Sequence, residues 1–108
     1  MTHPGFTVED PDRELRRVLD RCVSLPLARW ERPGPDGRTP VDLVRAVLQT
    51  LADLAADGEG RPRRPVPELR AHGLGDQLAV LTRDALAVAD DAGRLQVATA
   101  LAGLRARL

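Results

Sequence analysis

The stretch GLGDQLAVLTRDALAVADDAGRL, residues 73–95, carries the clearest apolar periodicity of the chain. Its apolar positions recur in alternating steps of four and three, at Leu74, Leu78, Leu81, Ala85 and Val88. That spacing is typical of one helix face packed on another helix. The sequence therefore predicts a helix over about 74–90.

A second apolar series follows at Val97, Leu101, Leu104 and Leu108. Extended backwards at the same steps, this series passes through Arg94 and Asp90, so it is out of phase with the first. One straight helix cannot bury both series against one neighbour. The sequence therefore predicts a separate helix over about 94–107, with a break or sharp kink near 90–94 where Gly93 supplies the backbone freedom.

Two more helices begin at pairs in which a side-chain acceptor precedes a proline at the first helical position, Asp10-Pro11 and Thr39-Pro40. The first helix is predicted over about 10–24 and ends before Pro26. The second is predicted over about 39–57 and ends at Gly58, which can take the left-handed conformation. Both contain apolar residues at helical spacing.

Two long connectors rich in proline, glycine and arginine separate these helices, at 25–38 and 58–67. Trp30 lies in the first connector, and we expect it to be buried and to hold that connector against the helices. One helical turn is predicted over 68–72. The predicted fold is all-α: a single small domain, an irregular bundle of about four helices over residues 10–108, after a flexible tail at 1–9.

The composition indicates a soluble globular protein, with 43% apolar and 30% charged residues. Sixteen basic and sixteen acidic residues give a net charge of zero, which argues against a dedicated nucleic-acid binder. Every basic residue is arginine, so an arginine here is weaker evidence for a specific role. One cysteine, no signal peptide and no membrane-spanning run favour a cytoplasmic location.

No catalytic, cofactor or metal constellation is visible, so an enzyme is not expected and no cofactor is predicted. The potential soft or imidazole ligands are His3, Cys22 and His72, and no pair of them has ligand spacing. Cys22 lies on an apolar helix stripe and fits a core residue better than a nucleophile. Ser24 is the sole serine, and no phosphate-binding or nucleophile-elbow motif is present.

The corner at 89–93 also resembles a helix-turn-helix, because Ala89 and Gly93 have the spacing of its small residue and turn glycine. The following helix offers only Gln96 and Thr99 to hydrogen-bond base edges, and Asp90 would repel phosphates. A core helix hairpin is the better interpretation. A second route to nucleic acid, kept as the alternative function, is the arginine strip formed by Arg61, Arg63 and Arg64.

The preferred hypothesis is a protein that acts through protein–protein contact, as a homodimer or as an accessory subunit. The final helix carries more small residues than one packed face needs, and these would let a second copy approach. The candidate interaction residues are Trp30, Arg61, Arg63, Arg64, Leu101, Leu104 and Leu108. A small-molecule pocket between helices, lined by leucines and Trp30, ranks third.

Overall fold

The structure is a computed structural model that describes residues 10–70 and 73–108, and within them it contains five helices and no strand. The helices are α1 (Pro11–Ser24), α2 (Leu27–Trp30), α3 (Pro40–Glu59), α4 (Leu74–Val88) and α5 (Asp91–Arg107). The prediction of one all-helical domain is confirmed. The predicted tail at 1–9 lies outside the described residues. The turn predicted over 68–72 is not formed at 68–70, and 71–72 also lie outside.

Helices α1 and α3 begin at the predicted cap signals. The Asp10 side chain accepts hydrogen bonds from the backbone N–H groups of Asp12 (3.1 Å) and Arg13 (3.4 Å). At α3, Thr39 and Asp42 form a reciprocal capping box, in which each side chain accepts from the other residue's backbone N–H at 3.1 Å. Four N–H groups without helical partners are thereby satisfied at the two helix starts.

The end of α3 corrects the sequence-based boundary. The helix continues to Glu59 and is ended by Gly60, whose φ of 68° is left-handed, and not by Gly58. Gly58 lies inside the helix. A Cβ atom on it would stand 2.6 Å from Cγ2 of Val88. The glycine that resembles a stop signal instead allows the ends of α3 and α4 to approach closely.

The first connector contains α2, which the sequence analysis did not predict. The described part of the chain therefore forms five helices and not about four. Leu25 and Pro26 are extended, and Pro26 ends α1 as expected. The chain then turns at once into α2, whose first bond runs from the Arg29 N–H to the Pro26 carbonyl at 2.8 Å. This single turn carries Trp30 into the core.

The break between α4 and α5 lies earlier than predicted. Helix α4 ends at Val88, and α5 begins at Asp91 and not at about 94. The turning residues are Ala89 and Asp90, both with extended backbone, so Gly93 is not the hinge. Gly93 donates its N–H to the Asp90 side chain at 2.8 Å, and a Cβ on it would meet Ala89 at 3.1 Å. Glycine there makes room for the cap.

The helices pack as two pairs, α3 against α4 and α1 against α5, and α3 also contacts α5. The largest fully buried apolar side chains are aliphatic: Leu48, Leu51, Leu74, Leu78 and Leu101. Trp30 and Leu108 close the edges of the same core. Val, Leu and Ala supply nearly all of this core. Their apolar surface is therefore buried mainly by close packing of the helices.

Candidate functional site

We call the segment between α3 and α4 the connector, and the structure describes it over residues 60–70. It contains no helix or strand over those residues, but hydrogen bonds join it to both helices. The Gln49 side chain on α3 accepts from the Val66 N–H and donates to the Arg64 carbonyl, both at 3.0 Å. Gln77 on α4 donates to the Pro67 carbonyl at 3.0 Å. The connector is therefore held through its main chain.

The arginine strip on this connector is partly neutralised by acids at the end of α3. Arg61 pairs with Glu59 at 2.6 Å and Arg63 pairs with Asp57 at 2.7 Å. The hydrogen bond from Arg63 lowers the pKa of Asp57, and the same contact raises the pKa of Arg63. Arg64 has no ion-pair partner in the described part of the chain. Two of the three predicted phosphate-binding arginines are thus already engaged.

An open groove of about 570 Å³ runs between the connector and α4. Its apolar floor includes Ala52 and Leu81, and the half-exposed Val80 lies along it. Arg64 stands on the rim formed by the connector, and Asp84 lines the groove from α4. The charges along this groove are mixed, so it offers no strong electrostatic preference for either sign of ligand.

Trp30 is 6% exposed, which confirms the expectation that it is buried. It belongs to the core together with Leu15, Leu25 and Val41. An indole in this position stabilises the α2 turn and presents almost no surface to a partner. We therefore assign Trp30 a structural role, holding the first connector against the helices.

Leu101 and Leu104 of α5, and Leu108 directly after it, are also part of this chain's own core. Leu101 is fully buried, and Leu104 and Leu108 are almost so. The opposite side of α5 is open: Leu95 is 49% exposed, and a Cβ on Gly103 would have no neighbour within 4 Å. Any partner on α5 would have to contact that outer side and not the three leucines.

Among the described residues, the most exposed large apolar side chains lie where α1 turns into α2. Val23 is 88% exposed and Leu27 is 81% exposed. They flank a cleft of about 410 Å³ that reaches Cys22 on α1 and Ala79 on α4. We call Cys22, Val23, Leu27 and Ala79 the corner patch.

The corner patch is not predicted from the sequence. The available signal was Val23, an apolar residue outside the α1 stripe, four positions before another apolar residue that follows a helix-ending proline.

The chemistry of the described residues is limited. Burial raises the pKa of the Cys22 thiol, which makes it a weak nucleophile at neutral pH. Residues 10–70 and 73–108 contain no group of three or more His, Cys, Asp or Glu side chains placed to hold a metal ion. His3 and His72 lie outside the described residues. None of the five helices is both long enough and apolar enough to cross a membrane.

Neither a family model, nor a curated protein, nor a solved structure matches this chain.

Proposed function

We propose that this protein acts in the cytoplasm through protein–protein contact, as a homodimer or as an accessory subunit, and that the corner patch is its contact surface. The observation that supports this most is the exposure of Val23 and Leu27, 88% and 81%, beside a cleft whose lining is apolar apart from Asp76. A grouped apolar surface of this kind is characteristic of interaction sites, whereas single exposed aliphatic residues are ordinary.

The free energy available at the corner patch sets the size of the contact. Burying Val23 and Leu27 is worth about 3 to 5 kcal/mol together, at the usual value for apolar area removed from water. Association costs at least about 4 kcal/mol in lost translational and rotational freedom. The partner must therefore also fill the cleft beside Cys22 and Ala79, and must insert an apolar side chain to do so.

A second copy of the chain is the first partner to test, because a twofold dimer is the commonest way to cover such a patch. The outer side of α5, at Leu95 and Gly103, is the competing contact surface for the same function. We favour a protein partner over nucleic acid, because Arg61 and Arg63 of the arginine strip are already paired with acids of this chain.

Light scattering across a range of protein concentrations tests the proposal. The double variant Val23→Ser/Leu27→Ser is expected to weaken self-association by at least about tenfold, whereas Leu95→Ser leaves it unchanged. Both variants change exposed positions, so both should fold. If Leu95→Ser is the variant that dissociates the dimer, the contact lies on α5 and not at the corner patch.

A mass that stays near 11.7 kDa at high micromolar concentration would exclude the homodimer. The accessory-subunit form is then tested by pull-down from native lysate with the wild type and the double variant. The proposal requires a partner that the wild type retains and the double variant loses. Equal recovery by both proteins would contradict it.

A further inference from the structure

A second cleft, of about 580 Å³, lies between α2, the loop at 31–39 and the last turn of α5. Four arginines line it: Arg29, Arg32, Arg38 and Arg107. We call it the arginine cleft. These residues come from three separate parts of the chain, and the fold brings them together at one end of the bundle.

The charge in the arginine cleft is largely uncompensated. Among the described residues that line it, Asp36 is the one acid, so four arginines against one carboxylate leave a formal charge of +3, although the whole chain is neutral. Asp36 accepts from the Arg38 N–H at 3.1 Å and is paired with Arg107. That leaves Arg29, Arg32 and Arg38 without an ion-pair partner among residues 10–70 and 73–108.

Outside the cleft, ion pairs with carboxylates of this chain are made by Arg17, Arg45, Arg61, Arg63 and Arg105. Other arginines, such as Arg13, Arg16 and Arg64, also lack an ion pair within the described residues, so the distinguishing feature of the cleft is that three unpaired arginines line one concave surface. An abundance of arginine in the composition does not explain why unpaired arginines gather around one concave surface.

The loop that carries these arginines is fixed by its own hydrogen bonds. The Gly34 N–H donates to the Arg38 carbonyl at 2.8 Å, and the Gly37 N–H donates to the Gly34 carbonyl at 2.9 Å. Gly37 has a φ of 81°, a conformation that suits glycine. The bond between Asp36 and Arg107 ties this loop to α5. A fixed frame lowers the entropy cost of ligand binding.

The remaining lining of the cleft is apolar, with Leu43 and three prolines at positions 33, 35 and 40. Its volume lies within the range of small-molecule sites. Guanidinium groups donate paired hydrogen bonds to the two oxygens of a carboxylate or phosphate. We propose that the arginine cleft binds a small organic oxyanion, a phosphate or carboxylate attached to an apolar group. This site is independent of the corner patch.

A small ligand fits the charge distribution better than nucleic acid does. Nucleic-acid binding draws on many phosphate contacts along an extended basic surface. Here the positive charge is confined to one cleft on a neutral chain, and two arginines of the connector are paired with acids.

The test is an NMR titration of the full chain, observing the side-chain Nε–H groups of the arginines, with phenyl phosphate, benzoate and inorganic phosphate as probes. We expect Kd values of about 1 mM or below for phenyl phosphate or benzoate, and weaker binding of inorganic phosphate, which lacks an apolar part. The stronger of the two organic probes identifies the head group. The shifts should be confined to Arg29, Arg32, Arg38 and Arg107.

The variant Arg32→Gln/Arg38→Gln is expected to weaken organic-probe binding by about tenfold or more, since each lost charge-assisted bond is worth roughly that factor. Arg13→Gln/Arg16→Gln removes the same charge from the exposed face of α1 and should leave the Kd unchanged. Equal weakening by both variants would overturn the proposal, because net charge would then account for binding. It would also be overturned if neither organic probe shifts these signals.

Discussion

Glu14 is a buried carboxylate, 1% exposed, that joins α1 to α5. Arg105 contacts its Oε1 through two guanidinium nitrogens, both at 3.2 Å, whereas Arg17 reaches Oε2 at 3.5 Å from the next turn of α1. An acid this deep in the fold depends on its partners, because a buried charge left alone is costly.

We therefore expect unequal effects from the two arginines. Arg105→Ala should lower the free energy of unfolding by about 2 kcal/mol or more, because it leaves the carboxylate with one distant partner. Arg17→Ala should lower it by less than about 1 kcal/mol, since that pair is local and half-exposed. Urea denaturation of both variants measures the difference. Equal losses would mean that the contact between α1 and α5 is not the important one.

Thr82 is a second polar residue in the core, and its hydroxyl has no hydrogen-bond partner within the described residues. Thr82→Val replaces that hydroxyl by a methyl of similar size. We expect the variant to raise the free energy of unfolding by about 1 kcal/mol, because an unsatisfied hydroxyl is removed from an apolar site. Thr50→Val is the matched control, since the exposed Thr50 hydroxyl donates to the Ala46 carbonyl at 3.2 Å. A loss of stability in Thr82→Val would contradict the prediction.

At the scale of elements, the start of α5 depends on the cap at Asp90. Asp90→Ala should lower the free energy of unfolding by about 1 kcal/mol, and Asp90→Asn should restore most of it, because the amide oxygen can also accept from the Gly93 N–H. Asp91→Ala, which removes an acid of the first turn without removing the cap, should cost only about 0.3 kcal/mol. Thermal denaturation ranks the three variants, and similar losses for Asp90→Ala and Asp91→Ala would contradict the assignment.

The connector provides a second element-scale prediction. Gln49→Glu keeps an acceptor for the Val66 N–H but loses the donor to the Arg64 carbonyl and places a charge near Asp53. We expect Gln49→Glu to lower the free energy of unfolding by about 1 to 2 kcal/mol and to speed hydrogen exchange at Val66. Faster exchange across the whole core, without a local effect at Val66, would show that the connector is not held by Gln49.

A helix can be predicted from the sequence when the residues that start and stabilise it are close together in the chain. At Asp10-Pro11 and at Thr39-Pro40 the capping side chain and the first helical proline are neighbours in sequence. Helices α1 and α3 therefore begin where predicted. Four-residue α2 has no side-chain cap and too few residues for a periodic pattern. Its existence depends on the burial of Trp30 against the other helices, which is a tertiary effect.

The candidate sites follow the same rule. Burial of Trp30 could be predicted from one residue, because a lone indole in a proline-rich connector gains most by docking. The apolar spacing of α5 predicts correctly that Leu101 and Leu104 lie in the core. Their use as contact residues for a partner is a separate assumption that does not follow from that spacing. The arginine cleft could not be predicted, since Arg38 and Arg107 meet only in the folded chain.

On the scale of the whole molecule, acids that interact with neighbours contribute to its acid sensitivity. Among the described residues, the pKa values of three exposed carboxyls are lowered: Asp36 and Asp42 chiefly by backbone N–H donors, and Asp57 by Arg63. Their folded-state pKa lies below the ordinary value of about 3.9. Their stabilising contribution is therefore complete above that value and is lost as the pH falls through the folded pKa.

We expect the urea midpoint to be nearly constant from pH 7 to about 5 and to fall below about pH 4, as these carboxyls become protonated. Asp57→Asn should be less stable than the wild type at pH 7, and the two proteins should converge at low pH, where Asp57 of the wild type is protonated and, like the asparagine of the variant, carries no charge. A constant difference between them at every pH would show that the contact with Arg63 does not depend on the charge of Asp57.

The hydrogen bonds that join the connector to the side chains of Gln49 and Gln77 also affect how the chain resists proteolysis. Between Gly60 and Glu68, the bond after Arg63 is the one that trypsin can hydrolyse, because Arg61 and Arg64 both precede proline. A protease needs several residues of free backbone around the bond it cuts, and here the Arg64 and Pro67 carbonyls are occupied. Cleavage there therefore requires the connector to detach first. Once cut, the two pieces would still share the packed surface between α3 and α4, so a nicked molecule would stay together until it is unfolded.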